Sequence, residues 1–147
     1  MHFNGMHFKQ KLDGWIESSN VKGCIDRELY RLKRYGSPAT MVMYRSDDPH
    51  FEEKFYLHSR RTDHLIPLAD KHYLLLYGNT DMPNAVKAID NLRVHLEAGG
   101  DNRKNRIALT QLRENDELND ALKRLLTLFV IAIQREDRIV DDAYLMR

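Results

Sequence analysis

The sequence predicts an α+β fold, an α/β sandwich, and three features predict it. Helical apolar stripes and short apolar runs follow one another along the chain. Two of the runs, at 64–68 and 72–77, are close enough to form a hairpin. Glycine, proline and aspartate mark the joints between the segments.

The elements follow in order. Residues 6–19 predict a lead-in helix, with Phe8, Leu12, Trp15 and Ile16 at helical spacing. A second helix over 22–35 carries Ile25, Leu29 and Leu32 on one stripe, and Gly36-Ser37-Pro38 stops it. Ala39 to Tyr44 is an apolar run of strand length. After the break at Asp47-Asp48-Pro49, residues 50–61 predict a short helix with Phe51, Phe55 and Leu57 inward. The hairpin comes next and ends at Gly78-Asn79-Thr80. Thr80 or Asp81 can cap the following helix, and Pro83 suits its first turn. Ala85, Ile89, Leu92 and Leu96 line one face of that helix, and Gly99-Gly100 ends it. A polar loop over 99–105 leads to a fourth strand at 107–112. The last helix, 116–135, is apolar nearly all round through Leu122, Leu125, Leu126, Phe129, Ile131 and Ile133, so it belongs in the core or against a partner. From the first strand to the fourth the order is βαββαβ, a ferredoxin-like core with its helices on one face and extra helices at both ends.

At 147 residues the chain is most simply one domain, with residues 1–20 as the lead-in helix and 21–147 as the body. Its composition, 42% hydrophobic and 31% charged, is that of a globular protein able to bury a core. A formal net charge of +1 gives no global field to attract nucleic acid or a membrane surface. The single Cys24 has no intrachain partner, which fits a reducing cytoplasm. The longest apolar run, 125–133, is too short to span a bilayer, and the N-terminus does not read as a signal peptide. Met6-His7-Phe8 echoes Met1-His2-Phe3, and Met6 can serve as an alternative start. No metal-ligand spacing links the seven histidines, and Ser18 and Ser19 lack a nucleophilic constellation. Asp47-Asp48 before Pro49 reads as a turn rather than a carboxylate pair.

The segment 60–73 is the most specific. Arg60-Arg61-Thr62-Asp63 stands five residues ahead of Ala69-Asp70-Lys71-His72-Tyr73, and an apolar strand leaves that tip. Outward from it, Leu12-Asp13-Gly14-Trp15, Glu28-Leu29, Arg34-Tyr35-Gly36-Ser37-Pro38, Asn79-Thr80-Asp81, Ala85 and Leu92-Arg93 keep a common order and spacing. This framing, over about 12–140, resembles GGDEF domains, which make cyclic di-GMP in many bacteria. The resemblance implies a core of the nucleotide cyclase type. It also implies that residues 69–73 stand at the catalytic hairpin and that Arg-x-x-Asp stands at the product-binding inhibitory site.

The departures from the family pattern bear on function. Phosphoryl transfer needs anionic ligands that hold Mg²⁺ on the phosphates. Counting from Pro38, the family's first-strand aspartates fall on Arg45 and Asp47, and the hairpin acids on Lys71 and His72. The guanine-reading segment is missing from the short stretch between Arg45 and Arg60. The resemblance therefore implies a degenerate domain without cyclase activity, cofactor or bound metal. Ala69-Asp70 in place of twin glycines implies a wider loop.

Two readings of Arg60 and Asp63 stay open. As a binding pair, Arg60 grips a phosphate or a guanine edge and Asp63 accepts from guanine N1 and N2. Arg61 and Arg93 are the candidates to replace the family's further arginine, whose position holds Asn91. As plain structure, Arg60 complements a helix end and Asp63 bonds local backbone. The corresponding functions are a cyclic di-GMP receptor and a protein-interaction or homodimerisation module on the same fold. Residual chemistry on GTP would require metal ligands the sequence lacks.

Overall fold

The computed structural model describes residues 5–17, 19–97, 103–135 and 139–146. Five helices are described: α1 (Gly5–Glu17), α2 (Val21–Tyr35), α3 (Phe51–His58), α4 (Met82–Leu96) and α5 (Leu118–Gln134). The strands are β1 (Ala39–Arg45), β2 (Asp63–Ala69), β3 (His72–Gly78), β4 (Arg106–Gln111) and β5 (Ile139–Val140), and a 3-10 turn runs over Asp142–Met146. The predicted end of α4 at Gly99-Gly100, and the expectations placed on Ser18 and residues 1–3, lie outside the described residues. Among those described, α4 ends at Leu96, and the Glu97 N–H donates to the Arg93 carbonyl at 2.8 Å.

The sheet order is β2-β3-β1-β4-β5. β1 lies antiparallel between β3 and β4, β2 pairs antiparallel with β3, and β5 runs parallel to β4. The predicted βαββαβ core is present, and β5 extends it. Two residues offer no periodicity to read, so β5 leaves no trace in the sequence.

Alternation along β1 sorts the core into two layers. Val42 and Tyr44 face Phe51 and Phe55 of α3 and Ala85, Ile89, Leu92 and Leu96 of α4. Met41 and Met43 face Leu12 and Ile16 of α1, Val21, Ile25, Leu29 and Leu32 of α2, and the inner side of α5. The core helices do share one face, as expected, while the terminal helices cover the other. The largely apolar runs of β1 and β3 have this cause, because a strand buried on both faces has no solvent-facing side. The lead-in helix docks on its own domain, against α2, α5 and β2. Within α5, Leu122, Leu125, Leu126 and Phe129 are buried, and Ile131 and Ile133 are partly buried against the same layer.

Two local expectations are corrected. Leu57 is 77% exposed rather than inward, because Phe51 and Phe55 define the buried face of α3 and Leu57 falls on the far side. The hairpin loop is not widened. Ala69 pairs with His72, leaving Asp70 and Lys71 as the link, and Lys71 takes the left-handed φ of 66° itself. A register shift between Pro67 and Ala69 accommodates the turn without glycine.

The helix signals act as read. Gly36 closes α2 at a φ of 69°, donating to the Leu32 carbonyl at 2.9 Å. The Asp81 side chain caps α4 by accepting from the Asn84 N–H at 3.2 Å. Gly78 is required by close approach, since a Cβ there would stand 2.7 Å from the Thr62 carbonyl and 3.2 Å from Glu28.

Candidate functional site

The hairpin tip and the end of β1 bring most of the predicted catalytic positions together. Arg45 places Nη1 and Nη2 on the two oxygens of Asp47, each at 3.2 Å. Lys71 reaches the same carboxylate from the hairpin, also at 3.2 Å. The Arg45 hydrogen bonds, aided by Lys71, hold the Asp47 carboxyl below the usual carboxylate range. Two side-chain cations thus occupy the carboxylate that a divalent ion would need. This donor set does not fit Mg²⁺, and no group of three or more His, Cys, Asp or Glu among the described residues could hold a metal ion. Asp48 is the turn residue expected. It accepts from the His50 N–H at 2.7 Å and pairs with Lys54 at 2.6 Å.

His72 and Tyr73 of the tip are engaged in packing. The His72 Nδ1–H donates to the Asp70 carbonyl at 2.8 Å, while its ring lies among Trp15, Phe8 and Phe129 at centroid distances of 5.0, 5.8 and 6.1 Å. Burial, with a smaller contribution from Arg45, pushes the His72 imidazole below its ordinary pKa. Tyr73 stacks on Phe51 at 4.1 Å, and burial raises its phenol. Asp70 is exposed in the turn, and Ala69 carries only the backbone pairing with His72.

Arg60 and Asp63 meet at the opposite end of β2. The Asp63 side chain is 3% exposed. It accepts the Arg60 backbone N–H at 2.8 Å and Arg60 Nη2 at 3.4 Å, while the Asp63 N–H returns to the Arg60 carbonyl at 3.0 Å. The same Nη2 also reaches the Gly78 carbonyl at 3.3 Å and the Thr80 hydroxyl. This is an aspartate-closed turn with an arginine tied across it. The Arg60 side chain nonetheless remains 57% exposed.

Beside it opens a cleft of about 410 Å³ whose walls include His58, Arg60, Asp63, Tyr77, Asn84 and Ala88. Burial, with the Asp63 charge, pushes the Tyr77 phenol up, so it stays neutral. Arg61 is exposed at the turn. Arg93 does not join the cleft. Its guanidinium is paired with Glu97 at 3.3 Å and Asp90 at 4.0 Å along α4. Asn91, where the resemblance expects an arginine, lies against His58, Ser59 and Tyr77 in a smaller adjoining depression. Sequence reasoning missed His58. Its ring stacks on His95 of α4, with centroids 4.0 Å apart and planes 14° from parallel. No periodicity or spacing relates these two histidines, since the α3–α4 packing alone brings them together.

No family model matches the chain, and no curated protein is significantly similar to it. Solved structures are similar in fold. The FimX GGDEF domain of Pseudomonas aeruginosa superposes with a TM-score of 0.68 at 12% identity, covering 84% of this chain and 91% of that one. The GGDEF domain of DgcB from Caulobacter crescentus, solved with c-di-GMP, gives 0.64 at 9% identity, covering 79% and 84%. The diguanylate cyclase SiaD of Pseudomonas aeruginosa, solved with its activator SiaC, gives 0.67 at 14% identity. The match covers 82% of this chain but 56% of SiaD, so this chain spans little more than half of that protein's length. The fold is therefore that of a GGDEF domain, as the residue pattern led one to expect. Among the described residues, no helix is long and apolar enough to cross a membrane.

Proposed function

We propose that the chain is a non-catalytic, cytoplasmic GGDEF-like signalling domain that binds cyclic di-GMP in the cleft beside Arg60. The observation that carries this reading is the Arg60 guanidinium. One nitrogen is anchored by Asp63, Gly78 and Thr80, while 57% of the side chain faces solvent at the cleft. An arginine held in this way presents its remaining donors without first having to be ordered, which favours a phosphate or a guanine edge. The c-di-GMP complex of the similar DgcB domain supports the ligand class. Loss of catalysis is supported by the two cations on Asp47. Phosphoryl transfer needs metal ions there, and this arrangement repels them.

Calorimetric titration with cyclic di-GMP tests the binding. Saturable heat that disappears in Arg60→Ala is expected, and a silent wild type or an unchanged variant refutes it. Incubation with GTP and Mg²⁺ should yield no cyclic dinucleotide by chromatography, and product formation would restore the enzyme reading.

A protein-interaction module is the second reading, favoured by a specific observation. Tyr56, Leu57 and Val94 are 56%, 77% and 68% exposed on the neighbouring helices α3 and α4. The similar SiaD was solved with a protein activator. This reading predicts a homodimer or a stable partner without nucleotide binding, and light scattering detects the homodimer.

A further inference from the structure

Asp63 cannot meet a ligand in the way the binding reading of the sequence supposes. Its side chain is 3% exposed, one oxygen holds the Arg60 backbone N–H, and the other faces Arg60 Nη2. To accept from a base it would have to release the turn that positions Arg60. Arg93, tied to Glu97, stands outside the cleft. A ligand held by Arg60 alone would have one point of attachment, so a second contact must come from another wall of the cleft.

His58 is suited to that role. It ends α3, is exposed, and lines the same cleft as Arg60. It stacks on His95 with centroids 4.0 Å apart and planes 14° from parallel. A ring backed on one face by another ring is a platform for a flat heteroaromatic group on its free face. We propose that His58, backed by His95, is the stacking platform for a purine base of the ligand, and that Asp63 serves only to position Arg60. This rests on the reading that the cleft takes cyclic di-GMP. It assigns recognition to an imidazole and a guanidinium rather than to an arginine–aspartate pair. Stacking tolerates any purine, whereas the Arg60 donors favour a guanine edge.

The test is a cyclic di-GMP titration of the full chain in wild type, Arg60→Ala, His58→Ala and His58→Phe, each first checked for native circular dichroism. His58→Ala should weaken binding about tenfold or more, and His58→Phe, which keeps a flat ring, should stay within about threefold of wild type. The His58 ring protons should move upfield on ligand addition in the wild type and stay in place in Arg60→Ala. If wild type and His58→Ala bind equally, the platform is refuted while the receptor reading survives. If His58→Phe is as weak as His58→Ala, the contact is not stacking and the proposal is overturned. A wild type that binds nothing removes both readings together.

Discussion

The end of β1, beside the hairpin tip, and the turn before β2 each join an arginine to an aspartate, with the exposure reversed. At the tip the arginine is the more covered partner: Arg45 is 18% exposed and Asp47 32%. A second cation, Lys71, closes on the same carboxylate. At the turn the aspartate is covered, at 3%, and Arg60 keeps 57% of its side chain in solvent. The first arrangement satisfies its carboxylate internally and offers neither a metal site nor free acceptors. The second uses its carboxylate to hold a cation that stays open to solvent. Which partner is buried therefore decides what an ion pair offers to solvent, and residue identity alone does not disclose it.

Substitutions separate the two regions. The tip depends on the layer beneath it, so Phe129→Ala should cost about 3–5 kcal/mol in chemical denaturation, because that ring is fully buried under Phe8 and His72. Asp63→Ala should cost about 1–3 kcal/mol by leaving the Arg60 backbone N–H without its acceptor. Asp47→Ala, which removes two partly exposed ion pairs, should cost less than about 1 kcal/mol. Equal losses for Asp47 and Asp63 would dissolve the contrast between the two regions.

Smaller effects test the tip alone. His72 has its folded-state pKa lowered, chiefly by burial, so the unfolded chain binds the proton more readily. Its contribution to stability is complete above the ordinary imidazole range, about 6.5, and is lost as pH falls toward the lowered folded value. The melting temperature should therefore drop between pH 7.5 and 5.5, and by less in His72→Phe. An identical drop in both proteins would remove His72 as its source. Lys71→Gly should gain up to about 1 kcal/mol, because glycine accepts the φ of 66° that lysine now adopts and the ion pair it loses is weak.

Much of the fold was legible because local signals and burial agree. Gly36, Asp81 and Pro83 mark helix ends by their own chemistry, and the stripes of α2 and α4 lie inward as their spacing requires. The second covered face of the sheet was written in the largely apolar runs of β1 and β3, yet it becomes explicit only when α1, α2 and α5 are seen to pack there. Leu57 misled because apolar character does not fix the side of a short helix once Phe51 and Phe55 have claimed the core. At the candidate site, the local backbone bond of Asp63 was readable from its position at the entry to a strand. The inward turn of Asp63, the capture of Arg93 by Glu97 and the His58–His95 stack were not. They depend on rotamers and on the packing of α3 against α4, which no single segment encodes.

The proposed ligand binding takes place at the open arginine and not at the closed tip. The most direct measurement is a nuclear magnetic resonance titration of ¹⁵N-labelled protein with cyclic di-GMP, following the Arg60 Nε–H together with the backbone amides of Thr80, Asn84, Lys71 and His72. Saturable shifts of Arg60, Thr80 and Asn84 are expected, with Lys71 and His72 unmoved. A spectrum unchanged at saturating ligand, or shifts confined to Lys71 and His72, would contradict the proposed binding.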